Sequence, residues 1–128
     1  MTINVPVRES VEIDEGKHTG KITKLVPRDE PYEYLDVFIE LDDVKDSKGN
    51  AVTIKDGMPL GISLRSKLGK TLVRFGCEES EISDKAGNEI DVEPFLMNKK
   101  VELMTKNEET EKGTFARVVE GTLKPVAE

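Results

Sequence analysis

Tyr34-Leu35-Asp36-Val37-Phe38-Ile39-Glu40-Leu41-Asp42 is the stretch on which the fold turns. Leu35, Val37, Ile39 and Leu41 fall on one side of an extended chain. Tyr34, Asp36, Phe38, Glu40 and Asp42 fall on the other. Strict alternation over this length means a strand with one buried and one solvated face.

Upstream, His18 to Val26 is also extended, but Ile22, Leu25 and Val26 break the alternation once. That pattern suits a bent or bulged strand. Val11 and Ile13 precede it across a turn at Asp14-Glu15-Gly16, and Pro27 and Pro31 end it. Residues 1–10 mix Pro6 with charges and read as a loose arm or a short edge strand. Downstream, Asp46-Ser47-Lys48-Gly49-Asn50 is a turn cluster that centres a hairpin. Ala51 to Ile54 is extended, Asp56-Gly57 marks another turn, and Gly61 to Leu64 alternates again.

The period then changes. Leu68, Leu72 and Phe75 share one helical face, with Ser66 placed to cap its start and Gly76 to end it. Residues 77–93 are acidic and include a turn at Lys85-Ala86-Gly87-Asn88. Pro94 suits a single helical turn. Lys100 to Thr105 is a strand with Val101 and Leu103 inward, Asn107 to Gly113 a hairpin loop, and Thr114 to Leu123 the last strand. The expected fold is therefore mostly β: a five-stranded OB-like barrel with one short helix between strands three and four. It fills a single domain over residues 11–125, with a short tail at 126–128. Another small barrel or sandwich with one helix is the alternative.

Four segments carry a resemblance. They are EIDEGKHTGKITKL (residues 12–25), YEYLDVFIELDD (32–43), SKLGKTLVRFG (66–76) and PFLMNKKVEL (94–103). Together they resemble small OB-fold single-stranded-DNA-binding proteins of bacteriophages and related phage replication-module families. Chains of that kind commonly carry Gly where Asn98 stands here, and many single-stranded-DNA-binding proteins end in an acidic tail, unlike GTLKPVAE. The resemblance implies binding of single-stranded DNA during phage-type replication or recombination, in the cytoplasm, or the host cytoplasm if the chain is viral.

Composition narrows the alternatives. The single cysteine, Cys77, excludes an internal disulfide framework and a cysteine zinc site. The single histidine, His18, excludes motifs with two metal-binding histidines and leaves most hydrolase machinery unsupported. His18 itself is expected at the surface, and Cys77 as a small buried filler. Lys67-Leu68-Gly69-Lys70-Thr71 echoes a phosphate-binding loop, but position 64 is Leu where the first glycine belongs. No enzyme activity, cofactor or metal is expected, and no apolar run reaches the ~20 residues of a membrane span.

The net charge of −7 looks wrong for a nucleic-acid binder, but the charges are segregated. Residues 16–28 hold Lys17, Lys21, Lys24 and Arg28 with no acid, and residues 61–76 hold Arg65, Lys67, Lys70 and Arg74 with none. Single-strand binding needs cations to follow phosphates and flat side chains on which bases stack. Lys17, Lys21, Lys24, Arg28, Arg65 and Arg117 are the phosphate candidates. Tyr32, Tyr34, Phe38 and Phe115 are the stacking candidates. Asp36 and Glu40, on the same face as Tyr34 and Phe38, work against phosphate. The second reading is a non-enzymatic protein-interaction or assembly module that engages replication or recombination proteins. An exposed strand edge would also allow a homo-oligomer.

Overall fold

The computed structural model describes residues 2–4, 13–29, 32–84, 89–111 and 113–126. Its elements are β1 (Gly16–Arg28), β2 (Tyr34–Lys45), β3 (Ala51–Pro59), α1 (Lys67–Arg74), α2 (Glu79–Asp84), α3 (Glu93–Leu96), β4 (Lys100–Thr110), β5 (Gly113–Val118) and β6 (Lys124–Pro125). The expected boundary at residue 11 and the turn at 85–88 lie outside the described residues. Ile13 is buried but precedes the first strand.

The strands form one antiparallel sheet in the order β3-β2-β1-β4-β5, with β6 paired to β4. The expectation of five strands is therefore corrected to six, and the sheet is not closed into a barrel. Closure would need a ladder between β3 and β5, which approach each other without pairing. The reason lies in register. β1 pairs with β4 over Lys100–Thr105, while β5 pairs with the overhang Thr105–Thr110. Thr110 pairs with Gly113, so ladder replaces most of the loop expected at 107–113. The last strand stops at Val118 rather than Leu123, and Gly121 turns the chain at φ 84° into β6.

Two further expectations fail in β3 and just after it. Asp56-Gly57 is not a turn but part of the strand, and residues 61–64 form a connection instead of resuming extended structure. Alternation hid this because Asp56 faces the core, where an apolar residue was expected. The core itself comes from the inward face: Ile22, Val37, Ile39, Leu41, Met58, Val101 and Leu103. Leu68 and Leu72 of α1, Leu96 of α3 and Leu123 complete it. Each buried Leu, Ile or Val stabilises the fold by roughly 1.5–3 kcal/mol relative to exposure.

Three short helices lie between β3 and β4, where one was expected together with a single turn at Pro94. α1 is capped as its sequence foretells. Ser66 Oγ accepts the Gly69 N–H at 2.9 Å. At the other end Gly76 takes φ 102°, its N–H bonds the Val73 carbonyl, and Cys77 N–H bonds the Leu72 carbonyl. These two bonds make a Schellman motif. α2 offers no period to detect in six residues; Ile82 is buried, and Glu79 and Glu81 favour its first turn. The turn into β4 uses Asn98 at φ 62°, and its N–H bonds the Ile22 carbonyl at 2.9 Å. Asn is one of the few residues that tolerate this region. Asn98→Gly should therefore leave the free energy of unfolding unchanged or raise it by up to about 1 kcal/mol, and Asn98→Val should lower it, as measured by chemical denaturation.

Candidate nucleic-acid interface

Residues directly opposed on adjacent strands share a face. Across β1, β2 and β3 this produces four rows on the side away from the core. They are Arg28–Tyr34–Pro59, Val26–Asp36–Gly57, Lys24–Phe38–Lys55 and Lys21–Glu40–Thr53. Lys24, Arg28, Tyr34 and Phe38 thus converge, and Lys55 joins them.

The convergence depends on one residue. Register shifts between Ile22 and Lys24, leaving Thr23 as a bulge. A plain strand would point odd-numbered Lys17 and Lys21 to one side and even-numbered Lys24 and Arg28 to the other. The bulge places all four on the outer face. From this point β1 has only β2 as a strand neighbour among the described residues, so Pro27, which has no N–H to give, sits in the strand at no ladder cost.

Within the patch each ring lies under a cation. The Arg28 guanidinium carbon is 4.8 Å from the centre of the Tyr34 ring, and Lys24 Nζ is 5.7 Å from that of Phe38. Both are within the range of cation–π attraction. Between the rings, Asp36 is only 5% exposed, which corrects the expectation that it faces phosphate. Arg28 Nε donates to its Oδ2 at 2.8 Å, and Lys55 Nζ stands 3.9 Å from the same oxygen. The carboxylate therefore holds the guanidinium over Tyr34, and two cations flank one buried acid. Glu40 remains exposed beside Lys21.

The other candidates are distributed differently. Lys17 lies on the same face farther along β1 and pairs with Glu102 at 3.2 Å, where Lys124 also binds at 2.9 Å. Hydrogen bonds from Lys124 and Lys17 hold the Glu102 carboxyl below its ordinary range. Tyr32 is 70% exposed in the connection that enters β2, two residues from the patch. Arg65 is exposed in the connection between β3 and α1, and its guanidinium makes no bond to the described residues. Phe115 and Arg117 are on β5, three strands from β2 and opposite the overhang of β4. Phe115 is 47% exposed, and Arg117 Nε bonds Glu108 at 3.1 Å. The ladder does not bring these two to the patch.

Lys55 is the residue that the sequence reading missed. Its signal was the alternation of Thr53, Lys55 and Gly57, concealed by breaking the strand at Asp56. Half of the second basic block is spent on the fold. Lys67 Nζ bonds Asp56 at 2.7 Å and the Gly57 carbonyl at 3.2 Å, while Arg74 bonds the Leu123 carbonyl and Thr71. His18 is not a surface residue. It is 5% exposed, with Nδ1 2.7 Å from Asp43 Oδ2 and Nε2 2.6 Å from the Asp14 carbonyl. Cys77 is buried, its Sγ 3.4 Å from Glu81 Oε2.

Among the described residues no group of three or more His, Cys, Asp or Glu side chains is placed to hold a metal ion, and no helix is long and apolar enough to cross a membrane. Compared with known protein families and with curated proteins, the chain matches no family and no individual protein.

Proposed function

We propose that the chain binds single-stranded DNA without strict sequence specificity, through the outer face of β1, β2 and β3, as a non-catalytic component of phage-type replication or recombination. The observation that carries this reading is the convergence of Lys24, Arg28 and Lys55 with Tyr34 and Phe38 on one face. The strand order supports it. β3-β2-β1-β4-β5, with helices between β3 and β4, is an OB-like ladder that lacks its closing pair.

The mechanism is a division of labour. Lys24, Lys21 and Lys55 neutralise phosphates and release counterions. Bases stack on Phe38 and on the Arg28–Tyr34 pair, where the guanidinium is itself a flat platform. Tyr32 extends the stack at the lip.

The test is a titration of a labelled mixed-sequence oligonucleotide of about 30 bases and its duplex at two salt concentrations. The single strand should bind more tightly, with a log–log salt slope of roughly −2 to −3 for three or four phosphate contacts. Tyr34→Ala/Phe38→Ala should weaken binding by about 2 kcal/mol, some 30-fold, while the melting temperature changes little. No binding at low salt would sink this reading in favour of the protein-interaction module.

A further inference from the structure

We infer that the open edge of β1 and the apolar groove beside it form a docking site for an extended segment of a partner protein, one that carries apolar side chains at alternate positions between two acidic ones. This site does not depend on the nucleic-acid reading. Ladder alternation shows which backbone groups are open. Ile22 N–H bonds the Lys99 carbonyl, and the Ile22 carbonyl accepts Asn98 N–H, so Ile22 turns both groups away from β2. Ile39, opposite it, then turns away from β1, and Phe38 turns toward it. Across the bulge Phe38 faces Lys24. Lys24, Val26 and Arg28 therefore bond β2, while Leu25 and Pro27 turn outward. Proline, with no N–H, stands at one outward position. At the other, neither the N–H nor the carbonyl of Leu25 has a partner among the described residues. One residue of an added antiparallel strand can exchange both hydrogen bonds with Leu25.

The groove lies along the same edge. It is a cavity of about 310 Å³ walled by Leu25, Pro27, Leu60, Ile62, Ile90 and Val92. That volume is at the bottom of the roughly 300–1,000 Å³ of small-molecule sites and suits aliphatic side chains. Pro27 and Leu60 are exposed on its walls. Directly opposed residues of paired strands share a face. A strand laid on this edge therefore turns the side chains opposite Leu25 and Pro27 into the groove, and those opposite Lys24, Val26 and Arg28 to the outer face.

Charge identifies the partner. Acidic side chains opposite Lys24 and Arg28 meet cations, and basic ones meet like charge. Lys24 carries most of this preference, since it is exposed and Arg28 is already bonded to Asp36. The opposite bank of the groove bears Asp91 and Glu93, both exposed, which keep the acids of the added strand on the Lys24 side. Read antiparallel to residues 24–28, the segment is acid, apolar, any residue, apolar, acid.

The probe is the synthetic peptide acetyl-Ser-Glu-Val-Thr-Leu-Glu-Ser-amide, added to the full chain while hydrogen exchange of the Leu25 amide is followed. Saturating peptide should slow that exchange about tenfold or more, because the amide gains a partner. N-methylation of the peptide leucine, which faces Leu25, should abolish binding. Lysine in place of both peptide glutamates should weaken binding about tenfold. Lys24→Glu, at an exposed position, should reverse that order, so that the lysine peptide binds the tighter of the two. Binding that leaves Leu25 exchange unchanged would overturn the site. So would equal binding of the two peptides by the wild-type chain, or no binding up to about 1 mM. Leu25 exchange that slows with protein concentration alone would give the edge to a second copy of this chain and overturn the peptide partner.

Discussion

Gly69→Ala is expected to destabilise the protein by about 3–4 kcal/mol, although a glycine-to-alanine change inside a helix ordinarily stabilises by up to ~1 kcal/mol. The reversal comes from the loop before α1. A Cβ at position 69 would stand 1.8 Å from the Ser63 carbonyl oxygen and 2.9 Å from Ser66 Oγ. Neither atom can yield cheaply. Ser66 Oγ donates to that carbonyl at 3.0 Å, accepts from Gly69 N–H at 2.9 Å and accepts from Ser63 N–H at 3.0 Å. Making room means breaking the helix cap, worth about 1 kcal/mol alone, and pushing a backbone segment aside. The melting temperature should fall by roughly 10 °C. Lys70→Ala, one residue on and exposed, is the control and should be near neutral. A Gly69→Ala melting temperature at or above wild type would show that the loop does not rest on the helix backbone.

Lys67→Met should cost about 3 kcal/mol at neutral pH, because it strands a buried carboxylate. Asp56 faces the core, and burial raises its pKa above the ordinary aspartate value, opposed chiefly by the hydrogen bond and charge of Lys67. The sign follows from linkage. A raised folded-state pKa means that the native chain holds a proton where the unfolded chain has released it. The Asp56 contribution is therefore most favourable below the unfolded pKa and declines as pH rises through the folded one. Removing Lys67 raises the folded pKa further. The deficit of Lys67→Met against wild type should thus shrink as the pH is lowered from neutral through that value. Asp56→Asn/Lys67→Met should recover most of the loss, since no buried charge remains. Denaturant midpoints at several pH values measure all of this, and a deficit independent of pH would remove Asp56 from the explanation.

Both variants touch places where the sequence misleads. Gly69 stands in a run that echoes a phosphate loop, yet its need for hydrogen in place of Cβ comes from a carbonyl six residues earlier. Period and composition carry no trace of that contact. Asp56 beside Gly57 has the composition of a turn, and only the partner Lys67, 11 residues away, allows a carboxylate in the inward file of a strand. Losing β3 at that point also cost the reading Lys55. By contrast β2, the Ser66 cap, the Gly76 stop, the hairpin at 46–50 and the bulge in β1 were all legible. Each depends on local geometry or on a hydrophobic period. Barrel closure was not legible, because it depends on how far β4 overhangs β1, a register that no local signal encodes. Within the site, Tyr34 and Phe38 could be placed on one face from alternation alone. That Asp36 between them is buried and holds Arg28 in place could not, since both inward and outward carboxylates fit the same pattern.

The bulge at Thr23 has a consequence for local stability. Just before it, at Gly20 and Lys21, β1 is held by ladders on both edges. Beyond it, the segment bearing Lys24 and Arg28 is held to β2 alone. Opening that segment breaks one row of hydrogen bonds and leaves Ile22 and the residues behind it packed, so its free energy of opening lies below that of global unfolding. A single strand of nucleic acid has no fixed pitch. On the proposed reading, the part of the sheet that conforms to it can fluctuate and re-close while the core stays protected.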